Sequence, residues 1–99
     1  MMKKAYRVFN SDNVAMLLQD VAAGEAVTVT GKNLEDGAQQ IVAGEDIQAG
    51  HKIALSDIGS GELVLKYGAV IGATITAIKA GRHVHTHNLG GLRGRGDRK

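Results

Sequence analysis

The amino-acid sequence predicts one small all-β domain, built as a sandwich, a barrel or a compact β-clip. The chain has 99 residues, a length that buries a single core of modest size. Fourteen glycines divide short runs that are rich in branched aliphatic residues. Many short strands between glycine-containing turns are typical of all-β folds and do not fit alternating strands and helices. An apolar content of 43% is too high for a disordered chain.

Seven runs of residues are predicted to form strands, and alternation of apolar and polar residues is clearest in 26–30. The predicted strands are 6–9, 14–18, 26–30, 40–42, 52–55, 63–66 and 71–78. The window 12–21 has two interpretations. Asp12 could cap a short helix, but Val14, Met16 and Leu18 alternate as they would in a strand, and the strand is favoured.

One local pattern occurs four times: an aliphatic residue, two small or polar residues, and then glycine. It lies at 21–24, 47–50, 58–61 and 78–81. An aspartate precedes three of these four corners, as Asp20, Asp46 and Asp57. We expect the aliphatic residue to anchor the corner, the aspartate to accept local backbone N–H bonds, and the glycine to adopt a positive φ. The unequal spacing of the corners argues against a solenoid.

The charge distribution argues against a nucleic-acid partner. Residues 89–99 carry a net charge of +3 from four basic residues and one acid, so residues 1–88 carry −1 of the total of +2. We therefore divide the chain into a domain, 1–88, and a Gly/Arg-rich tail, 89–99, which is either loose or ordered against a partner. The few aromatic residues, Tyr6, Phe9 and Tyr67, offer little surface for stacking bases or neutral sugars.

Composition and the first residues point to the cytoplasm. The sequence lacks cysteine, which excludes disulfides, thiolate zinc sites and a cysteine nucleophile. No apolar run approaches the ~20 residues of a membrane helix. Arg7 and Asn10 interrupt any apolar core of a signal peptide. We expect a cytoplasmic protein without a membrane partner.

Three of the four histidines lie in the predicted strand 82–88, at a spacing of two residues. Because side chains alternate along a strand, His83, His85 and His87 are expected to share one face. Such a face titrates near neutral pH and can hold a divalent metal, alone or with a carboxylate. The alternative is the solvated polar face of an edge strand.

The other polar candidates have ordinary interpretations as well. His51 follows the glycine of the second corner, where the other corners have Glu25, Glu62 and Arg82, so a polar residue is usual at this position. Asn88 either forms a turn or binds a substrate by hydrogen bonds.

The remaining motifs carry less chemistry. Segment 66–72 has neither the spacing nor the helix of a phosphate-binding loop, and Tyr67 is interpreted as a cap on the core. Arg93, Arg95 and Arg98 could bind a carboxylate or phosphate by bidentate bonds, or form a charged, mobile tail. No Ser–His–Asp set or carboxylate pair is recognisable from spacing, which favours a binding module or an accessory subunit.

Several motifs occur in the same order as in altronate and galactarate dehydratases. They are Asp12-Asn-Val-Ala15, Gly50-His-Lys-Ile-Ala-Leu-Ser-Asp-Ile58, Lys66-Tyr-Gly68, Ile71-Gly72 and Gly81-Arg-His-Val-His-Thr-His-Asn88. Over residues 5–88 the chain resembles the amino-terminal SAF domain of these enzymes, which has a β-clip fold. The small subunit of (2R)-sulfolactate sulfo-lyase is similar too. Because the chain stops where the large domain of a full dehydratase would begin, the resemblance implies a small subunit with a separate large catalytic partner.

The resemblance also implies a reaction and a set of site residues. The expected reaction removes water from a 2,3-dihydroxy aldonate or aldarate to give a 2-keto-3-deoxy acid, with a divalent metal such as Fe²⁺ held mainly by the large subunit. The expected catalytic residues are His51, His85 and His87, and the expected metal contacts are His85 and His87. The expected substrate contacts are Asn88, Lys52, Tyr67 and Arg93. The alternatives are a sulfolactate sulfo-lyase small subunit and a non-catalytic module that binds or gates a sugar acid.

Overall fold

Nine short strands in two β-sheets make up the part of the chain that the computed structural model describes, residues 3–9, 11–31 and 39–91. The strands are β1 (Lys3–Tyr6), β2 (Val14–Leu17), β3 (Ala26–Thr30), β4 (Gln39–Val42), β5 (Lys52–Ala54), β6 (Leu63–Lys66), β7 (Ala69–Thr74), β8 (His83–Val84) and β9 (Leu89–Gly90). The larger sheet has the order β4-β3-β1-β2-β5-β8, and the smaller has the order β6-β7-β9. The described residues include no helix. The fold is the small all-β, β-clip type of domain that the sequence predicts.

The ambiguous window near the start is a strand, β2, as the alternation predicts. The strand before it lies earlier than expected, since β1 ends at Tyr6 although the sequence predicts a strand at 6–9. The cause is Asp12, whose carboxylate accepts hydrogen bonds from the N–H groups of Val8 and Phe9, each at 3.2 Å. These bonds draw the backbone after Tyr6 into a turn.

The central strands β2 and β5 are buried on both faces, because alternate residues enter two different cores. The first core fills one side of the large sheet and includes Ala5, Ala15, Leu17, Val27, Val29 and Ile53. The second core joins that sheet to the smaller one and includes Val14, Ala54, Ile58, Val64, Ile78 and Val84. β5 therefore has strand neighbours on both sides, β2 and β8, and a core on each face.

The four corners pack against each other in two pairs. Val21 and Ile47 exchange backbone N–H···O bonds of 2.8 and 2.9 Å, and Ile58 and Ile78 exchange two bonds of 2.8 Å. All four aliphatic side chains are buried, as predicted. The glycine that ends each corner has a φ between 83° and 89°, which is the left-handed conformation that the sequence predicts.

The aspartates of the corners bridge paired corners, which corrects the expectation that they close their own turns. Oδ1 of Asp20 accepts a bond from the N–H of Ala49 at 2.8 Å. In return, Oδ1 of Asp46 accepts a bond from the N–H of Ala23 at 2.9 Å. Asp57 makes a similar bond across the second pair. Because the corners pack antiparallel, the aspartate of one lies beside the second small residue of the other.

The buried carboxylate of Asp12 also organises the hairpin between β6 and β7. The hairpin turn is Tyr67-Gly68, and both residues have positive φ, 55° and 78°, as in a type I′ turn. Asp12 accepts bonds from the N–H groups of Tyr67 at 2.9 Å and Gly68 at 2.7 Å, in addition to those of Val8 and Phe9. Burial alone would raise the pKa of Asp12, but these four donors hold the pKa below its ordinary value.

Ordered structure continues past the predicted domain boundary at residue 88. Leu89 and Gly90 form β9, which pairs with Thr74 and Ala73 of β7, and Leu89 packs against the second core. The basic residues of the predicted tail, in 92–99, lie outside the described residues. Within the described ranges, no helix is long and apolar enough to cross a membrane.

Candidate functional site

Four histidines gather at the outer edge of the six-stranded sheet, where β8 pairs with β5. His83 lies opposite Ile53, and His51 immediately precedes β5. Nδ1 of His51 is 2.8 Å from Nε2 of His83. The ring of His85 stacks on that of His51 with 4.4 Å between centroids, and the tilted ring of His87 lies 5.2 Å from that of His83. We call these four residues the histidine cluster.

The cluster does not lie on the straight strand that the sequence predicts at 82–88. β8 contains only His83 and Val84, and the chain turns over residues 85–88. The turn nevertheless keeps His85 and His87 in contact with His83, at 5.3 and 5.2 Å between centroids. Both hydrophobic cores are formed without the cluster, which is partly exposed to solvent.

Asn88 fixes the turn that carries two of the imidazoles. Its Oδ1 accepts a bond from the N–H of His85 at 2.9 Å, and its Nδ2 donates to the carbonyl oxygen of His83 at 2.7 Å. The side chain is buried, and its own N–H donates to the carbonyl oxygen of His85 at 3.1 Å. The structure thus shows Asn88 as a turn former, one of its two sequence interpretations, and contact with a substrate stays a prediction.

Glu45 holds the other end of β8, and the sequence gives no signal for this role. Its Oε2 accepts a bond from the N–H of His83 at 2.9 Å. The backbone of His83 is therefore held at its N–H group by Glu45 and at its carbonyl group by Asn88. His83 was left out of the expected catalytic set, yet it contacts each of the other three imidazoles.

His51 differs from the residues at the same position in the two corners that have glutamate. Oε1 of Glu25 accepts a bond from the N–H of Ala22 at 2.8 Å, and Oε1 of Glu62 accepts one from the N–H of Gly59 at 2.8 Å, so each glutamate closes its own corner. In the second corner, His51 makes no such bond among the described residues. Its ring is directed instead toward His83.

The electrostatic environment favours the neutral form of two imidazoles, those of His83 and His85. Burial, followed by the neighbouring His51, His87 and His85, lowers the pKa of His83, although Glu45 acts in the opposite direction. Desolvation, followed by the charges of neighbouring His51, Lys52 and His87, lowers the pKa of His85. A neutral imidazole has a lone pair that can accept a proton or bind a metal.

Lys52 lies next to the cluster, but its side chain is on the opposite face of β5 from that of Ile53. It is paired with Met16 of β2 and Val84 of β8. Burial, together with the positive charge of Lys66, lowers the pKa of Lys52. The positive charge of Lys52 is close enough to His85 to help lower the pKa of that imidazole.

Tyr67, another expected substrate contact, makes its described contacts outside the cluster. Tyr67 is in the β6–β7 turn, where its ring makes an edge contact with Tyr6 at 6.4 Å and lies 5.0 Å from the Nζ of Lys66. Arg93 lies outside the described residues. Substrate contact remains a prediction for both.

An open cleft of about 740 Å³ begins at the histidine cluster and runs along the first pair of corners. Its lining includes Lys3, Asp20, Glu25, Asp46, Gln48, His51 and His83. Lys3 donates to the carbonyl oxygen of Asp20 at 2.8 Å, and its Nζ is 4.0 Å from Oε1 of Glu25. The cleft combines hydrogen-bonding groups of both signs, and such groups suit the hydroxyls of a polyol.

The donor atoms of the cluster fit a divalent transition metal in kind and in spacing. Ligand nitrogens of His51, His83 and His85 all lie within 4.8 Å of one another. In a tetrahedral site, metal–nitrogen bonds of about 2.1 Å place neighbouring ligand nitrogens roughly 3.4 Å apart. The 2.8 Å between the ring nitrogens of His51 and His83 would therefore lengthen on binding. The rings are nearly parallel, with interplanar angles of 12° to 22°, so ligation would require them to tilt toward a common point.

Comparison with known proteins gives consistent matches. A family model described as the altronate/galactarate dehydratase SAF domain matches residues 3–91. Altronate dehydratase of Escherichia coli K12 is 44% identical over 77 residues, which cover 78% of this chain and 14% of that enzyme. Altronate dehydratase of Bacillus subtilis 168 is 36% identical over 87 residues, which cover 88% of this chain and 16% of that enzyme.

In a third relative, the matched segment covers most of the relative's length. The (2R)-sulfolactate sulfo-lyase subunit alpha of Chromohalobacter salexigens is 34% identical over 74 residues, which cover 75% of this chain and 78% of that subunit. The chain therefore spans a small fraction of the length of the two dehydratases and most of the length of a separate subunit.

Proposed function

The chain belongs to the altronate/galactarate dehydratase SAF-domain family, and on that premise we propose that it is the small subunit of a cytoplasmic sugar-acid dehydratase. A large catalytic subunit would supply the rest of the reaction centre. The observation that carries the proposal is the convergence of His51, His83 and His85 at an accessible sheet edge. Imidazoles that served only to fill the core would pack among aliphatic side chains instead.

The proposed reaction is β-elimination from a 2,3-dihydroxy acid. A base takes the proton from C2, next to the carboxylate, and the C–H electron pair forms an enediolate. The C3–O bond then breaks, and the hydroxyl leaves as water after it receives a proton. The resulting enol becomes a 2-keto-3-deoxy acid. A divalent metal such as Fe²⁺, held mainly by the large subunit and contacted by His85 and His87, would stabilise the negative charge of the enediolate.

The histidine cluster is suited to move protons in such a reaction. The 2.8 Å contact between Nδ1 of His51 and Nε2 of His83 requires one nitrogen to donate and the other to accept. A proton taken up at one ring can therefore pass to the other. His85 and His87 lie on the outer side of this pair and are assigned to acid–base contact with the substrate.

Positive charge and hydrogen-bonding groups would position the substrate. We assign binding of the substrate carboxylate to Lys52, whose ammonium group is close enough to His85 to lower the pKa of that imidazole. Asn88 is assigned mainly to holding the histidine turn. We also propose that Tyr67 and Arg93 contact the substrate once the large subunit is bound.

A second function, the small subunit of a sulfolactate sulfo-lyase, is favoured by one observation. The chain covers 78% of a relative that is named as a subunit alpha, but only 14% and 16% of the two dehydratases. In that case the group leaving from C3 would be sulfite in place of water, and the same base and carboxylate contacts would serve.

The experiment is to co-purify the tag-free chain with a large subunit encoded beside it and to assay the pair. Altronate and galactarate would be assayed for 2-keto acid formation, and sulfolactate for sulfite release. His85→Gln and His87→Gln should each lower turnover by at least about 100-fold. Lys79→Ala, at an exposed position in the fourth corner, is the matched control. Turnover and metal content within about twofold of wild type in both histidine variants would refute the assignment.

A further inference from the structure

We infer that His51, His83 and His85 form a binding site for a divalent first-row transition metal on this chain itself. The inference goes beyond the proposed function, since the three ligands all belong to this chain and the site needs no large subunit. It also differs from the pair His85 and His87 that the sequence suggests.

The donor atoms of the three histidines lie close together. One ligand nitrogen from each of the three residues lies within 4.8 Å of the other two. The closest pair, Nδ1 of His51 and Nε2 of His83, is 2.8 Å apart, and the ion would take the place of the proton that these two nitrogens share. Rotation of the imidazole rings about χ2, a soft torsion, would aim the three nitrogen lone pairs at one ion. His87 contacts His83 from the side but lies outside this group of three.

The second corner differs from two of the other corners in the residue that follows its glycine. Two sister corners place a glutamate where the second corner has His51, and each glutamate caps its own turn at 2.8 Å. Histidine at this position gives up that cap. A residue that abandons a local stabilising bond and directs its ring toward two other imidazoles is better explained by a ligand than by the fold.

Hydrogen bonds to the backbone hold two of the three histidines in place. Metal-binding histidines are typically oriented by a second layer of hydrogen bonds. Here the backbone of His83 is fixed by Glu45 and Asn88, and Asn88 also fixes the N–H of His85. Two of the three proposed ligands are therefore held by buried or partly buried polar contacts, although both lie at or beyond the end of a two-residue strand.

The donor set indicates the class of ion. Three imidazoles without a carboxylate or thiolate suit Zn²⁺, Fe²⁺, Co²⁺ or Ni²⁺, whereas Mg²⁺ and Ca²⁺ prefer oxygen ligands. Three protein ligands leave at least one coordination position for water or for a ligand oxygen. A 2-hydroxy acid can occupy such a position through its carboxylate.

The experiment is a Co²⁺ titration of the tag-free, purified chain, followed by absorption in the visible range, and a Zn²⁺ titration by calorimetry. We expect saturable 1:1 binding, with visible Co²⁺ bands that Zn²⁺ abolishes. His51→Gln, His83→Gln and His85→Gln should each weaken Zn²⁺ binding by about 100-fold or more. Lys79→Ala, at an exposed position in the fourth corner, should stay within about threefold and is the matched control. His87→Gln should weaken Zn²⁺ binding by less than His85→Gln does.

Two results would overturn the inference. One is the absence of saturable 1:1 binding of either ion by the wild-type chain, with folding verified by backbone amide NMR. The other is a loss in His87→Gln as large as that in His85→Gln, which would move the ligand set to the residues that the sequence suggested. Because no assay of dehydration is involved, either result leaves the proposed function open to its own test.

Discussion

Nδ1 of His51 lies 2.8 Å from Nε2 of His83, although 32 residues separate them in the sequence. Two features of the fold bring them together. The second corner delivers His51 to the start of β5, and β5 pairs with β8 so that Ile53 lies opposite His83. The contact therefore depends both on the second corner and on the sheet edge at β8. Substitutions in either of these two parts should disturb it.

A chain with glutamate in place of His51 should be more stable than one with alanine at that position. The new carboxylate would reach the N–H of Gln48, as Glu25 reaches Ala22 and Glu62 reaches Gly59. We expect the free energy of unfolding to rise by about 0.5–1 kcal/mol relative to His51→Ala, as measured by urea denaturation. The same variant should lose any metal binding or turnover that the cluster supports. A His51→Glu variant no more stable than His51→Ala would mean that the corners are not equivalent.

Replacing Asn88 by alanine should loosen the histidine turn. The variant loses the bonds to the N–H of His85 and to the carbonyl oxygen of His83, and both groups lie at a partly buried position. We expect a loss of about 1–3 kcal/mol in the free energy of unfolding. The imidazole NMR signals of His83 and His85 should shift, whereas the backbone amide signals around Asp12 should not. Unchanged imidazole signals would show that the turn holds without Asn88.

Asp12 should make stability depend on pH in the acid range. Its pKa is lowered in the folded chain, because four N–H donors outweigh the burial that would raise it. A carboxyl with a depressed pKa stabilises the fold above its unfolded pKa of about 3.9, and this contribution is lost as pH falls through the lower folded value. We expect the midpoint of urea unfolding to fall steeply below about pH 4.

Asp12→Asn is the variant that tests this assignment. It keeps one oxygen but replaces Oδ2, which accepts bonds from Val8, Phe9 and Tyr67, with an NH₂ group. At pH 7 the variant should be less stable by about 3 kcal/mol, and its stability should vary less between pH 5 and pH 3. If the stability of the variant falls with pH as much as that of the wild type, another carboxylate causes the acid sensitivity.

The second pair of corners lacks one of its bridging carboxylates. Asp57 accepts a bond from the N–H of Ala80 at 2.9 Å, but Ala77 occupies the position from which an aspartate would reach Ser60. Ala77→Asp should therefore add a bond like those of Asp20 and Asp46. We expect the free energy of unfolding, measured by thermal denaturation, to rise by about 0.5–1 kcal/mol. Ala77→Asn, which offers the same oxygen without charge, separates the hydrogen bond from a general charge effect.

Much of the fold could be predicted from the sequence because its signals are local. Branched runs predicted β3 and β6 residue for residue, and the four repeated corners predicted four glycines with positive φ. The strand predictions failed where one contact decides the local structure. The first strand ends early because Asp12 accepts hydrogen bonds from the N–H groups of Val8 and Phe9. The short strand β9, which the sequence does not predict, forms by pairing with β7.

The site was less predictable, since its geometry depends on strand pairing. The spacing of the histidines gave a shared face, but the pairing of β5 with β8 is what adds His51 and makes His83 central. Glu45 has no recognisable pattern, because its role depends on a single backbone bond to His83. A clue to His51 was present in the repeated corners, where histidine occupies a position that holds glutamate in two others.

β8 is anchored to the sheet by only two residues, opposite Lys52 and Ile53. Short edge elements open more readily than central ones and exchange their amide hydrogens sooner. We therefore expect the imidazoles on and beside β8 to sample open arrangements that β2 and β5 do not. An ion or a second polypeptide that seats on this edge would slow that opening, so occupancy would be visible as amide protection confined to one rim of the domain.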